Sequence, residues 1–179
     1  VGSFVMDDPK PWLVLARALS LHAGSLRRAD GTALEPLALL DESPAGLAAL
    51  GVGRSAIAAL GNPVPGYLAA DERWLAGPGR RLVTWGLPDY PPLLAAVADA
   101  PLVLFVEGDP RSLSLPQLAV VGTRNPTAIG RDTALQFARH LAEAGLAITS
   151  GLALGIDAAA HRGALAARGR TIAVLGCGL

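Results

Sequence analysis

The sequence predicts a doubly wound α/β sheet preceded by a small all-helical region. Three observations predict it. Residues 7–76 carry apolar residues at three- and four-residue spacings with no β-branched alternation. From residue 82 onward, short apolar runs alternate with helical stretches, and three of those runs lead into glycine, at Gly122, Gly151 and Gly176. Strand and helix in alternation, joined by right-handed crossovers, give a parallel sheet of this class.

In the helical region a first helix is expected over Lys10–His22, with Trp12, Leu15, Ala16 and Leu19 on one stripe. Thr32 and Glu35 have the spacing of a capping box for a second helix through Leu40. Ser43 followed by Pro44 reads as the cap and first position of a third. That helix meets Gly51-Val52-Gly53, a fourth runs from Arg54 to Leu60, and a last covers Tyr67 to Leu75. Gly77-Pro78-Gly79-Arg80-Arg81 breaks the pattern. Residues 7–76 are therefore read as a helical accessory domain, 77–81 as a linker and 82–179 as the α/β domain. The one methionine is Met6, so residues 1–6 are read as an added remnant or a disordered start.

In the α/β region Leu82–Trp85 and Leu102–Val106 are expected strands bracketing a short helix at about Pro92–Ala98. Leu118–Val121 is a near-continuous apolar run of the kind buried in a parallel sheet. The helix after it places Ala134, Phe137, Ala138 and Leu141 on one face and stops at Gly145. Ala147–Thr149 is the next strand, Asp157–Arg168 the next helix and Thr171–Leu175 a third strand. The chain then stops at Gly176-Cys177-Gly178-Leu179, where a crossover helix is due, and so reads as a fragment of a longer domain.

Composition excludes several classes. With 15 Lys+Arg against 15 Asp+Glu, a polyanion or an anionic membrane surface would have to be held by local donors, not by bulk attraction. Residues 1–76 hold 6 basic and 8 acidic groups and residues 77–179 hold 9 and 7, a shift too small to assign a function. The single Cys177 cannot form an internal disulfide, and three scattered histidines give no metal-ligand spacing. No metal and no cofactor are expected. The longest stretch free of Asp, Glu, Lys and Arg, Ser55 to Ala70, is broken by Gly61, Pro63, Pro65 and Gly66 and cannot span a bilayer. The start of the chain lacks the basic region and apolar core of a signal peptide. A soluble cytoplasmic protein without membrane contact is expected.

The most informative stretch is Gly122-Thr123-Arg124-Asn125-Pro126-Thr127, at the end of the first parallel strand. Ligands of parallel sheets bind at such strand ends, where helix N-termini and free amides converge. Gly122 permits a close turn, Thr123 and Thr127 supply hydroxyls, and Arg124 supplies a planar fork of donors suited to phosphate oxygens. The plainer reading is a strand-to-helix turn with Thr127 as cap and a solvated arginine. Thr149-Ser150-Gly151, on the neighbouring strand, could line the same pocket. A dinucleotide site is disfavoured: no G-x-G-x-x-G follows the first strand, no Walker lysine exists, and the second strand ends without an acid for the ribose.

Two further patterns are ambiguous. Asp157 and His161, four apart, share a helix face, as a carboxylate orienting an imidazole would require; alternatively Asp157 caps its helix and His161 packs or bonds locally. Gly51, Gly53 and Arg54 have the shape of a helix-hairpin-helix that holds a nucleic-acid phosphate, or of a turn that packs a small accessory domain.

Val120–Thr127, Ile148–His161 and Ala173–Leu179, three ordered motifs at matching spacing, resemble the DNA-processing protein A (DprA/Smf) family. Asp89-Tyr90-Pro91-Pro92-Leu93 and the helical N-terminal region are similar to it as well. The resemblance implies an extended Rossmann-like domain, incomplete at its C-terminal end, after a small SAM-like or helix-hairpin-helix domain. It implies sequence-independent binding of single-stranded DNA in natural transformation, where the protein shields incoming strands and helps load a RecA-type recombinase past single-strand-binding protein. It implies a homodimer at full length and no catalytic residues. The family's Gly-Ser/Thr-Arg loop maps onto Gly122, Thr123 and Arg124 and its Ser-Gly turn onto Ser150 and Gly151, with Asn125 and Thr127 completing the expected phosphate cradle. Gly51, Gly53 and Arg54 form the secondary candidate. Many relatives carry Lys or Arg where this chain has Leu154, which removes one phosphate contact. The contrasting hypothesis is a nucleotide-handling enzyme of the lysine-decarboxylase-like phosphoribohydrolase fold, whose Pro-Gly-Gly-x-Gly-Thr-x-x-Glu motif does not occur in these residues.

Overall fold

The computed structural model describes residues 8–18 and 35–176 and falls into two compact units, residues 1–110 and 111–179. The fold class is the expected one: an α/β chain with a helical region in front of a parallel sheet.

In the first unit, helix α1 (Lys10–Arg17) buries Trp12, Leu13 and Leu15, and its backbone leaves helical space at Ala18, ψ 74°. The expected continuation to His22, and Thr32 of the expected capping box, lie outside the described residues. Pro36–Leu40 is a 3₁₀ turn and not the expected α-helix. Pro36 opens it after an extended Glu35, and the Asp41 amide closes it by donating to Ala38 at 3.2 Å. Helix α2 (Pro44–Ala49) starts as its sequence dictates, with Ser43 Oγ accepting from the Gly46 amide at 3.0 Å. Helices α3 (Arg54–Gly61) and α4 (Pro65–Leu75) follow. Trp12, Leu15, Leu39, Leu47, Val52 and Ala56 form one buried cluster.

The next two strands belong to this unit. Strand β1 (Arg80–Thr84) pairs antiparallel with β2 (Val103–Glu107), Arg80 opposite Glu107, with the single turn of α5 (Pro92–Ala95) between them. They make a two-stranded sheet of their own instead of joining the parallel one. The cause is packing: Leu102 enters the helical core, Leu82, Trp85 and Val103 pack against it, and the Trp85 amide donates to the Leu102 carbonyl at 2.8 Å. The division between units accordingly falls after Pro110, whereas the sequence placed it at 77–81.

Polar anchors fix this unit. Arg17 grips Asp71 with two nitrogens, one bond being Nε to Oδ2 at 2.8 Å, and its guanidinium lies 5.3 Å from the centre of the Tyr67 ring. The bond to Asp71 holds the Arg17 pKa above its ordinary value. Tyr90, buried, donates its hydroxyl to the Pro101 carbonyl at 2.7 Å, and burial pushes its pKa up to about 12.

The second unit is a three-stranded parallel sheet in the order β3-β4-β5: β3 (Gln117–Ala119), β4 (Ala147–Ser150) and β5 (Thr171–Ala173). Helices α6 (Ala128–Glu143) and α7 (Ile156–Ala166) make the crossovers. Ala138, Ala142, Ile148, Ala160 and Ala164 form the core, with Val120, Leu141 and Ala167 packed against it. Two expectations change. The run around Leu118 is exposed and not buried, because β3 is an edge strand of this sheet. Phe137, expected on the inner face of α6, is 56% exposed, while Ala134, Ala138 and Ala142 face inward. Helix α7 approaches α6 too closely there for an aromatic ring: a methyl on Gly163 would stand 3.0 Å from the Arg139 amide nitrogen and 3.1 Å from Ala138 Cβ.

Candidate nucleic-acid interface

The first βα loop leaves β3 and enters α6, and its own hydroxyls shape it. Thr127 caps α6, its Oγ1 accepting from the Gly130 amide at 3.1 Å. Thr123 Oγ1 accepts from the Asn125 amide at 3.1 Å, which holds Arg124 at the apex between them. Each hydroxyl accepts one internal bond and keeps its own hydrogen for an outside acceptor. Gly122, Thr123, Arg124, Asn125 and Thr127 are all exposed. The Arg124 side chain makes no hydrogen bond or ion pair with the described residues.

The second loop leaves β4 and enters α7. Ser150, expected to offer its hydroxyl to a ligand, is 3% exposed and donates to the Val120 carbonyl at 2.7 Å. That bond fastens the exit of β3 to β4, so Ser150 holds the first loop in place and does not line a pocket. Gly151 is exposed, with Asp157 Oδ2 3.0 Å from where a methyl would stand. Leu152 is held at φ 62° and is 54% exposed; Leu154 is 79% exposed and contributes no charge.

The two loops touch. The Ile156 amide donates to the Thr123 carbonyl at 3.2 Å. Ile156 also lies under Gly122, so a methyl on Gly122 would fall 2.7 Å from its Cγ1. A methyl on Gly155 would collide with the Thr123 carbonyl oxygen and stand 2.6 Å from that of Arg124. The N-terminus of α7 is thereby occupied from within: Thr123 takes its first amide, and buried Asp157 puts a carboxylate in its first turn, accepting from the Ala153 amide at 3.4 Å. An anion is better placed at the opening turn of α6, beside Arg124.

Asp157 and His161 do share a helix face, but His161 turns away. Its Nδ1 lies 2.6 Å from Thr171 Oγ1, and burial lowers its pKa against the raising influence of Asp157. The bonding reading holds for His161, but Asp157 does not cap its helix: Gly155 is the N-cap, without a side-chain cap bond, and Asp157 accepts from Ala153, ahead of the helix. In the first unit, the Gly51–Gly53 turn packs into the helical core, as its plainer reading requires. Val52 is buried and its amide donates to Leu47 at 3.0 Å, while Gly51 at φ 82°, Gly53 and Arg54 are exposed.

Sequence reasoning passed over Gly155 and Ile156. The available signal was the residue type: helix α7 begins after a glycine, where Ser, Thr, Asp or Asn would ordinarily serve as cap.

Fold and loops together define a Rossmann-like α/β protein with an exposed, donor-rich loop at the end of its first parallel strand. The chain belongs to the DNA recombination-mediator protein A family, whose sequence profile matches residues 81–179. It is 47% identical over 106 residues to protein Smf of Escherichia coli, a stretch covering 59% of this chain and 28% of that protein. To DNA processing protein DprA of Bacillus subtilis it is 42% identical over 90 residues, covering 50% of this chain and 30% of that one. The X-ray structure of DNA processing protein A from Streptococcus pneumoniae superposes with a TM-score of 0.70 at 27% identity, over 97% of this chain and 59% of that one. The matched stretches with Smf and the Bacillus protein thus span less than a third of those relatives' length. Among the described residues no helix is long and apolar enough to cross a membrane, and no three His, Cys, Asp or Glu side chains are grouped to hold a metal.

Proposed function

We propose that the chain binds single-stranded DNA through its phosphates, without regard to base sequence, at the loop formed by Gly122, Thr123, Arg124, Asn125 and Thr127. One observation carries the reading: an exposed guanidinium, unpaired among the described residues, stands at the apex of a loop fixed on both sides, beside the N-terminus of a sixteen-residue helix. Gly151 flanks the site, and Ser150 holds it together from behind. Gly51, Gly53 and Arg54 offer a second, weaker contact, because acidic groups outnumber basic ones in the first unit, 12 to 8.

Family membership supports the wider role. In this reading the protein works in the cytoplasm as a DNA-binding recombination mediator, shields incoming single strands during transformation and passes them to a RecA-type recombinase past single-strand-binding protein. It acts as a homodimer and turns over no substrate of its own. A formal net charge of zero means that binding depends on a few local contacts, not on a field. The test is fluorescence anisotropy with labelled oligodeoxythymidylate, a mixed-sequence single strand and a duplex. Equal affinity for the two single strands, falling as salt rises, is expected. Dependence on one base sequence, a preference for duplex, or no binding by folded protein would overturn the proposal.

A further inference from the structure

We infer that Gly155 and Ile156 are positioning residues for Arg124: the opening of α7 is the seat that sets the shape of the first loop and hence the direction of the guanidinium. The inference rests on the reading that Arg124 takes a phosphate. Gly155 has φ 89° and ψ −123°, a conformation open to glycine and costly for any residue with a side chain. Its bare Cα faces the carbonyls of Thr123 and Arg124, with no room for a methyl between them. The next residue adds a bond from its amide to Thr123 and lays its side chain beneath Gly122. Three consecutive residues of the first loop are therefore supported by two residues of another element. Within the loop itself, only the Thr123–Asn125 bond fixes Arg124.

The seat is itself held in place. The Ala158 amide donates to Ala153 at 3.1 Å, the Ala159 amide donates to Gly155 at 3.1 Å, and Asp157 Oδ2 accepts from Ala153. Leu152 is kept in the left-handed region at φ 62°, which persists only where the surroundings over-determine the backbone. A guanidinium that must meet two phosphate oxygens in one plane gains from such a base, since a loose loop loses affinity to ordering on binding.

The test is a four-member cycle on the full chain: wild type, Arg124→Ala, Gly155→Ala and the double variant. Each is titrated with fluorescein-labelled oligodeoxythymidylate at several salt concentrations, and its thermal midpoint is recorded. Gly155→Ala should weaken binding by roughly tenfold and flatten the log–log salt slope by about 0.7, as loss of one single-strand phosphate contact does. In the Arg124→Ala background it should add nothing further. A lowered thermal midpoint with an unchanged slope, or full additivity of the two substitutions, overturns the inference. Should Gly155→Ala fail to fold, Gly122→Ala carries the test, because its methyl meets the Ile156 side chain. That variant should lose binding, and adding Ile156→Ala, which vacates the space the methyl needs, should restore most of it. Absence of rescue overturns the inference. Wild-type affinity and slope in Arg124→Ala alone would strike the underlying reading, leaving no contact to be positioned.

Discussion

His161 donates from Nδ1 to Thr171 Oγ1 across 2.6 Å, because the one hydroxyl hydrogen of Thr171 is already given to the Ile148 carbonyl at 2.8 Å. The chain of two bonds links α7 to β5 and β4, and it leaves the buried Nε2 of His161 without a partner among the described residues. Protonation at Nε2 would place a charge where nothing receives it, and burial accordingly lowers the folded pKa below the ordinary 6.5. The unfolded chain then binds the proton more readily than the folded one. Stability contributed by this group is full above about 6.5 and is lost as the pH falls through the depressed folded value. Urea denaturation between pH 8 and 5 should show that loss, and His161→Gln should flatten it. An unchanged pH profile in the variant would assign the effect elsewhere.

Arg124→Ala should leave folding intact, since an exposed loop arginine packs nothing. Its DNA affinity should drop roughly tenfold to a hundredfold, equally for different base sequences, and the salt slope should flatten. Anisotropy titration of both proteins measures all three effects. A loss that depended on base sequence would turn Arg124 from a phosphate contact into a base reader.

Two ion pairs in the first unit should behave very differently. Arg17→Met strands the Asp71 carboxylate, which is 6% exposed, and should destabilise by about 1–3 kcal/mol. Lys10→Met loses a pair with Glu72 at 3.7 Å between exposed side chains, and should cost less than about 1 kcal/mol. Urea midpoints for the two variants check the ranking, and equal costs would refute it.

Tyr90→Phe removes the hydroxyl that bonds Pro101 and should cost about 0.5–1.5 kcal/mol. Alkaline absorbance titration should also lose a late phenolate step, because the folded Tyr90 ionises only near about 12. Since the folded pKa exceeds the ordinary 10, its contribution persists at neutral pH and disappears as the pH climbs past 10. A variant that titrates like wild type would place that step on another residue.

Features written in a few neighbouring residues were legible in the sequence. Ser43 with Pro44, and Thr127 with Gly130, cap their helices as their types require, because the bonds close within one turn. Parallel strands with donor-rich exits could be read as well, since alternation of apolar runs with helices restricts the topology. What escaped depends on distant partners. An apolar run such as Leu82–Trp85 looks the same whether it joins a parallel sheet or pairs with Val103–Glu107, and its contact with Leu102 and the helical core decides. Ser150 looks like a ligand donor until Val120 is brought beside it. Gly155 looks like an ordinary turn until Thr123 and Arg124 close over it.

Gly163 lends the second unit a gauge. Helices α6 and α7 are rods clamped against each other where that glycine meets Leu135, Ala138 and Arg139. Both candidate loops ride on the leading ends of those rods, roughly 10 Å of helix ahead of Gly163 along α7. The contact between the loops thus depends on the spacing of a seam that lies away from both of them. Under the proposed function, a change in that seam would alter the grip on a DNA strand without touching any residue of the loop.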